Sequence, residues 1–250
     1  MKKYKKSHNM FENFPKERIK LPDDYLKIYT EHYLNNRGGK TAASSLSQKM
    51  ETWMHRKVAQ DIRPKLNIRP ATLEIGAGTL NQLAYEQQNA IYDIVEPFSE
   101  LYQQSPFLKN VNHIYEYITD INGEDKYDRI TSVATFEHIE NLPEVIAISS
   151  LLLKENGALR IAIPNEGTIL WKLGVQFSGF EFKKKYGLDY SILMEYEHVN
   201  TADEIEEVLQ FFYNKIRCCC FGINKRIAFY RFYECTVPNK ENSRFFLTNK

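Results

Sequence analysis

Thr72-Leu-Glu-Ile-Gly-Ala-Gly-Thr-Leu80 is the stretch that decides the fold. An apolar strand that contains Glu74 runs directly into two glycines, Gly76 and Gly78. Glycine permits a tight turn with positive φ and lets a ligand approach main-chain N–H groups. A helix expected to start near residue 80 would direct its partly positive N-terminus at the same loop. The pattern therefore predicts a ligand-binding turn between a buried strand and a helix.

A second acid closes the next apolar run. Glu96 follows Ile91-Tyr-Asp-Ile-Val95 and lies twenty positions beyond Gly76. An acid at the tip of the second strand is placed to accept hydrogen bonds from ribose hydroxyls. Together with Glu74, which suits a cationic amine, it indicates a ligand that carries both a ribose and a charged amino-acid tail. The alternative is a simple strand–turn–helix junction without a ligand.

The glycine spacing argues against a dinucleotide. The dinucleotide fingerprint G-x-G-x-x-G has a third glycine for helix–strand packing, and that position is Asn81 here. The local pattern E-x-G-x-G instead resembles motif I of class I S-adenosylmethionine (SAM) methyltransferases, although their frequent third glycine is Leu80 in this chain. The resemblance implies SAM as cofactor and S-adenosylhomocysteine (SAH) as product.

The composition is that of a globular protein without a strong net charge. The 250 residues are 43% hydrophobic and 26% charged, with a net charge of +1. This balance favours neither nucleic acid nor an anionic membrane as partner. The basic start Met1–Lys6 is not followed by the apolar region of a signal peptide or anchor, and no run has transmembrane length. The consecutive Cys218–Cys220 would alternate across a strand and cannot converge on a metal, so we expect reduced thiols in a cytoplasmic protein.

Strands and helices alternate after a helical leader. Ser44–Gln60 carries apolar residues at helical spacing and predicts an amphipathic helix. The following alternation predicts a doubly wound parallel sheet, which binds ligands at the carboxyl ends of its strands. The helix before the fifth strand is marked by Asn141 as cap, Pro143 in its first turn and Gly157 past its end. The strand candidates are Ala71–Ile75, Ile91–Val95, His113–Ile118, Arg129–Ala134 and Ala158–Ile163.

The C-terminal part predicts an antiparallel end to the sheet. Thr201-Ala-Asp-Glu204 is a capping box for a helix that reaches Phe212. The strand-like runs Lys215–Phe221 and Ile227–Val237 are joined by a connection short enough only for antiparallel neighbours. We therefore predict an α/β fold with a mostly parallel, seven-stranded, Rossmann-like sheet that ends in an antiparallel hairpin. The expected boundaries are a helical leader or cap over 1–69 and a core over 70–250, with a lid insertion at about 165–197.

Further segments between residues 70 and 237 resemble the same methyltransferases in order. Tyr127–Ile139 is similar to a strand-four motif that ends in Glu-His, Leu151–Asn165 to a segment that ends in Pro-Asn, and Glu197–Asn200 to a His-bearing turn before the last helix. Asp120 follows strand three, where the family has an acid that bonds the adenine amino group. The cofactor-binding residues that the resemblance implies are Glu74, Gly76, Ala77, Gly78, Glu96, Pro97, Asp120, Ile121 and Thr135.

Two histidines are the candidates for catalysis. An oxygen or amine acceptor must lose a proton, and a neutral His138 or His198 at the strand ends could accept it. Each could instead only shape the pocket, and Glu137 is expected to hold the loop. Some relatives bind a divalent cation through this Glu-His motif, but an acid that they use is Ala134 here. Because oxygen-rich metal sites need more carboxylate than remains, we predict no metal.

The acceptor pocket is expected outside the common core. One part is the leader, with Tyr33, Arg37 and the Trp53–Lys57 region, and the other is the aromatic-rich insertion 165–196. An aromatic lid suits a small or medium polar acceptor and excludes water, although most of these rings could simply pack the lid onto the sheet. The predicted substrate-binding residues are Glu137, Asn165, Trp171 and Tyr190.

The overall pattern is similar to that of small-molecule methyltransferases from bacterial surface-polysaccharide (capsule) clusters. This resemblance implies transfer to an oxygen or nitrogen of a sugar, a nucleotide-activated metabolite or a phosphate-bearing metabolite. The alternatives are an RNA or protein methyltransferase and a non-catalytic SAM-fold binding protein. The near-neutral charge argues against RNA, and the intact set of two acids and two glycines argues against a non-catalytic protein.

Overall fold

A computed structural model of the chain describes residues 11–29, 45–62, 69–87 and 90–249, with backbone only at 45–48, 169, 173–178 and 181. Seven strands form one sheet in the order β3-β2-β1-β4-β5-β7-β6. The strands are β1 Thr72–Ile75, β2 Tyr92–Val95, β3 Ile114–Tyr115, β4 Tyr127–Val133, β5 Leu153–Pro164, β6 Tyr213–Asn224 and β7 Ile227–Pro238.

The sheet has the predicted mixture of directions. Strands β1 to β5 pair in parallel, whereas β7 is antiparallel to both β5 and β6. Strands β6 and β7 form a hairpin, as the short connection between them requires. The α/β, Rossmann-like fold class is therefore confirmed, and the carboxyl ends of the parallel strands share one edge of the sheet.

Helices cover the sheet. Helix α1 lies against β4, β5 and β7, and α3 packs against α6 and α7. The predicted capping box at Thr201 is present and begins α6. Within the described ranges, none of the helices combines the length and apolar character needed to cross a bilayer. The α-helices are α1 Ser45–Val58, α2 Ser99–Tyr102, α3 Leu142–Leu152, α4 Ile169–Tyr186, α5 Tyr190–Glu197, α6 Ala202–Phe212 and α7 Lys240–Thr248, and residues 23–29 are also helical.

The main hydrophobic core lies between the central strands and the helices on one face. Leu73, Ile130 and Ile161 are fully buried there. Part of the leader joins this core, because the Phe11 ring lies with its centroid 5.8 Å from that of Phe212. The leader is thus packed into the same structure as the sheet.

Two helix boundaries differ from the prediction. The helix expected near residue 80 is only a 3₁₀ turn, Asn81–Ala84, and Leu80 before it has a left-handed backbone with φ of 66°. Leu80 and Leu83 are buried, but mostly polar residues follow, so the segment lacks an apolar face for a longer helix. Gly157 does not follow a helix end, because α3 stops at Leu152. It lies within β5, where a Cβ would come within 2.9 Å of the side chain of Leu153.

Strand three is also shorter than predicted. It contains only Ile114–Tyr115, and a 3₁₀ turn begins at Ile118.

Asn141 occupies the N-cap position of α3, but its side chain makes no capping hydrogen bond to the backbone. The predicted positions are therefore correct for this helix start, whereas the bonding differs.

Two buried arginines attach the C-terminal end of α1 to the sheet. Arg129 on β4 donates to the carbonyl of Val58 at 3.2 Å, and Arg160 on β5 donates to the same carbonyl at 2.7 Å. Arg129 also pairs with Asp61 at 2.7 Å and with Glu86 at 2.8 Å. Cations near the last carbonyls of a helix are electrostatically favourable, so this contact fixes α1 over β4 and β5.

Replacing Arg129 by methionine is expected to lower the free energy of unfolding by about 3 kcal/mol or more, because Glu86 would remain buried without its partner. Denaturant unfolding of the whole chain measures this change. Arg244→Met is the matched control, since Arg244 pairs with Glu124 on the surface and such pairs contribute about 1 kcal/mol at most. Equal losses in the two variants would contradict the role assigned to Arg129.

Candidate active site

Two cavities open at the carboxyl ends of the parallel strands. The larger, of about 1090 Å³, is lined by residues of the β1, β2 and β4 ends, among them Val95 and Thr135. The smaller, of about 390 Å³, extends from the glycine loop toward α1 and the hairpin. Gly76, His138 and Glu197 line both cavities. A ligand placed across Gly76 could therefore occupy both compartments.

The glycine loop is held by the second strand. The N–H of Gly76 donates to the carbonyl of Val95 at 2.9 Å. The carboxylate of Glu96 accepts from the N–H of Gly78 at 2.8 Å and from that of Phe98 at 3.1 Å. Glu96 is 4% exposed and lines the larger cavity. It therefore sets the shape of the loop in addition to any contact with a ligand.

The two glycines serve different purposes. Gly76 has φ of +69°, and a Cβ there would lie 2.2 Å from the Cγ2 atom of Thr135. Gly78 has φ of +51°, and no heavy atom lies within 4 Å of its Cβ position. Glycine at 76 is thus required by the neighbouring strand end, whereas Gly78 borders open space. Only Gly78 matches the prediction that a missing side chain leaves room for a ligand.

Glu74 is buried at the side of the smaller cavity. It is 2% exposed and accepts a hydrogen bond from the Tyr92 hydroxyl at 2.9 Å. Burial raises the pKa of this carboxyl well above its usual value, and the Tyr92 hydrogen bond offsets the shift only in part. A cationic group beside Glu74 would favour its ionised form.

The loop after β3 does not place all of the predicted cofactor-binding residues at the larger cavity. Pro97, which follows β2, lines this cavity, and so do Glu116 and Tyr117, which follow β3. Asp120 is not among the lining residues, because its carboxylate accepts from the N–H of Tyr117 at 2.9 Å in a local capping box. Ile121 is also absent from the lining, since it packs into the main core. The structure thus does not bring Asp120 and Ile121 to the cavity.

The two candidate histidines are neighbours. Their ring centroids are 4.7 Å apart, in an edge-to-face arrangement. The carbonyl of Glu137 accepts from the N–H of Val199 at 2.8 Å, which joins the His138 turn to the His198 turn. Asn200 strengthens this junction, because its side chain donates to the carbonyl of Ile139 at 2.7 Å. Residues sixty positions apart in sequence therefore form one wall.

Each histidine has one ring nitrogen oriented by the protein. Nδ1 of His138 lies 2.8 Å from the carbonyl of Glu197 and must donate to it. Nδ1 of His198 contacts the carboxylate of Glu166, and the His198 ring stacks on Trp171 with a centroid distance of 5.6 Å. In a neutral ring with this tautomer, Nε2 is the nitrogen that can accept a proton.

The predicted substrate-binding residues separate into two groups. Glu137 and Trp171 line the smaller cavity. Asn165 does not, because it is fully buried and its amide donates to the carbonyls of Lys225 and Ala228 at 2.8 Å, which attaches the hairpin. Tyr190 also lies outside the lining of both cavities, since its ring packs 5.1 Å from that of Phe182 on α4. Tyr33, Arg37 and the side chain of Phe177 lie outside the described residues.

Sequence reasoning missed two charged residues beside the histidines. Arg18 of the leader donates to the carbonyl of His138 at 2.6 Å and to that of Tyr196 at 2.6 Å. Nothing in the polar leader marks this arginine. Glu166 carried a usable signal, because it lies two residues beyond the carboxyl end of β5, where ligand-binding side chains gather.

Neither the histidine cluster nor the cysteines form a metal site in the described part of the chain. No group of three or more His, Cys, Asp or Glu side chains there is arranged to hold an ion. The four cysteines Cys218, Cys219, Cys220 and Cys235 are free thiols, and Cys219 is exposed.

Comparisons with known proteins agree with the fold. The family model described as "Methyltransferase domain" matches residues 47–211. No protein with a curated description matches the chain by sequence.

Solved structures share the fold at low sequence identity. A SAM-dependent methyltransferase of Thermotoga maritima, described as a possible histamine N-methyltransferase, is 12% identical with a TM-score of 0.53, over 85% of this chain and 98% of that one. The plantazolicin methyltransferase bound to a substrate analogue and SAH is 13% identical with a TM-score of 0.56, over 85% and 93%. The 1,6-didemethyltoxoflavin-N1-methyltransferase of Burkholderia thailandensis, bound to 1,6-didemethyltoxoflavin and SAH, is 14% identical with a TM-score of 0.51, over 88% and 92%.

Proposed function

Since this chain belongs to the methyltransferase-domain family and is a SAM-dependent methyltransferase, we propose that it methylates an oxygen or nitrogen of a small polar acceptor held in the smaller cavity. The observation that carries this proposal is the meeting of both cavities at Gly76, His138 and Glu197. A cofactor that enters from one compartment and an acceptor from the other would approach each other there.

The residues around the glycine loop fit SAM. In our proposal, Glu96 and Pro97 hold the ribose side in the larger cavity, and Gly78 offers an open approach to main-chain N–H groups. Glu74 lies on the other side of the loop, where a buried carboxyl with a raised pKa suits the amino-acid ammonium. When bound, SAM supplies a methyl group already activated by its sulfonium.

The protein's part is to position the acceptor and to accept its proton. We assign proton acceptance to Nε2 of His138, because the Glu197 carbonyl fixes Nδ1 as the protonated nitrogen. His198 is held by Glu166 and Trp171 and forms the adjacent wall. The leader contributes through Arg18, which holds the backbone of both histidine turns.

The finer biological assignment rests on the sequence resemblance. It favours a sugar or another metabolite of surface-polysaccharide biosynthesis and a cytoplasmic enzyme. The neighbours with bound ligands are described as acting on plantazolicin and didemethyltoxoflavin, which supports a discrete molecule as acceptor. The domain division at residue 69 and the lid at 165–197 are part of the same proposal.

Binding of SAH is expected to release protons in mildly acidic solution. Because burial raises the pKa of Glu74, the free protein carries a proton on this carboxyl above the usual titration range, and the ammonium of SAH would lower that pKa again. Calorimetry in mildly acidic buffers of different ionisation enthalpy should show a net release of protons when SAH binds. Glu74→Gln should bind SAH with little proton release. The same release in Glu74→Gln would contradict this placement of the amino-acid tail.

A further inference from the structure

We infer that the acceptor carries a cationic amine and is methylated on that nitrogen. This inference rests on the proposed function and names the substrate class of the same cavity. The structural basis is a concentration of carboxylates around the acceptor compartment, where the described lining residues include no lysine or arginine.

Four glutamates line the smaller cavity. Glu51 comes from α1, Glu74 from β1, Glu137 from the turn after β4, and Glu197 from the end of α5. Among the described residues that line this cavity there is no lysine or arginine. The basic side chains beside Glu51, Glu137 and Glu197 are histidines, for example His138, whose Nε2 lies 3.7 Å from Glu137, whereas the charge of Arg129 acts on Glu74. The compartment is therefore rich in negative charge for its size.

Basic residues are present on α1, but they lie on another side of it. Lys49, Arg56 and Lys57 line a separate groove between α1 and β6, beside Trp53 and Phe221. Glu51 is the charged residue that the same helix contributes to the acceptor compartment. Arg18 lines the larger cavity and not the smaller one. These lysines and arginines thus lie outside the acceptor compartment, whereas four glutamates line it.

The negative charge of the glutamates also acts on aromatic side chains that line the acceptor compartment. Burial, followed by the charges of Glu137 and Glu51, raises the pKa of Tyr230 to about 12. Tyr230 and Trp171 both line the compartment, and the faces of such rings attract cations. Carboxylates and ring faces together form a site that favours an ammonium and disfavours a phosphate or carboxylate.

The cofactor accounts for only part of this charge. Glu74, beside the glycine loop, suffices for the ammonium of its amino-acid tail. Glu51, Glu137 and Glu197 remain for one sulfonium and the acceptor. An ammonium acceptor reduces this excess of negative charge, whereas an anionic acceptor would increase it.

The chemical step balances with an amine. The ammonium first loses a proton to Nε2 of His138, which leaves a nitrogen lone pair. That lone pair forms the new N–C bond to the methyl carbon while the C–S bond breaks, and the electron pair of the broken bond stays on sulfur. The methylated amine is then an ammonium again, and His138 holds the proton removed first until solvent takes it.

The test uses the full chain saturated with SAH and three probes that differ in charge: benzylamine, benzyl alcohol and benzoate. The readout is the NMR signal of the Trp171 indole N–H, assigned by comparison with Trp53→Phe because the chain has only two tryptophans. Benzylamine should shift this signal and bind roughly tenfold more tightly than benzyl alcohol, and benzoate should not bind. Equal or tighter binding of benzyl alcohol or benzoate, or no response to benzylamine, overturns the inference.

Matched variants separate the acceptor site from the cofactor site. Glu51→Gln should weaken benzylamine binding roughly threefold or more and leave benzyl alcohol unchanged. Glu51 is suitable because its side chain is 54% exposed, so the variant should fold normally. Glu100→Gln, in the larger cavity, should change neither. Loss of benzylamine selectivity with intact SAH binding rejects only the amine inference, whereas failure of SAH itself to bind rejects the proposed function.

Discussion

Replacing Gly76 by valine is expected to abolish SAH binding, to below detection by calorimetry. The backbone at this position has φ of +69°, which strains any other residue, and the first side-chain carbon would lie 2.2 Å from Cγ2 of Thr135. The loop would have to move away from the β4 end. Its hydrogen bond from Gly76 to Val95 and the position of Gly78 beside Glu96 would then be lost.

The steric part of this effect can be isolated. Gly187 at the end of α4 has φ of +73° and no heavy atom within 4 Å of its Cβ position, so Gly187→Ala carries the backbone strain alone, about 1 kcal/mol. Gly76→Ala should cost more stability than Gly187→Ala, and adding Thr135→Gly should recover part of the difference. SAH binding by Gly76→Val at an affinity close to that of the unchanged protein would show that the loop does not need this conformation.

Replacing Glu96 by alanine is expected to weaken SAH binding about 100-fold. The carboxylate accepts from the N–H groups of Gly78 and Phe98, and the substitution leaves these donors without their acceptor in a buried loop. A hydrogen bond to a charged group contributes about 1.5–3 kcal/mol, so loss of one such bond to the ribose from a distorted loop accounts for a factor of this size.

The control for Glu96 is a carboxylate in the same cavity. Glu100 lines the larger cavity but is exposed. Glu100→Ala should therefore change the SAH dissociation constant less than about threefold, because only a screened charge is removed. Calorimetry on both variants decides the matter. Similar losses for Glu96→Ala and Glu100→Ala would indicate a general field effect and contradict the specific role of Glu96.

The sequence was sufficient to predict the architecture, because the patterns that indicate strands, helices and turns involve residues close together along the chain. The capping box at Thr201 and the brief hairpin connection were read correctly, since capping and antiparallel pairing depend on adjacent residues. The glycine loop was also placed correctly at the end of β1. The helix predicted after this loop is only a 3₁₀ turn, because Leu80 adopts a left-handed backbone conformation that the sequence does not indicate.

The candidate site was predicted less completely than the fold. His138 and His198 were both named, but their edge-to-face contact depends on bonds from Val199 and Asn200 to the His138 turn. Asn165 had the residue type and position of a ligand contact, yet its amide is used by the hairpin. Residue type shows what a side chain can bond, whereas the packed chain decides which partner it has.

The sequence by itself determined the order of strands and helices, the glycine turn and the acids at the strand tips, because these follow from residue spacing within one element or between adjacent ones. Only the tertiary structure decided that Glu166 contacts His198, that Arg18 joins the two histidine turns, and that α1 contributes Glu51 to one cavity while Lys49, Arg56 and Lys57 line another groove. These contacts join residues that are far apart along the chain. They therefore form, and stabilise the protein, only when folding brings the charged groups together. The charge of the acceptor compartment, and with it the kind of acceptor we propose, is therefore a property of the folded chain.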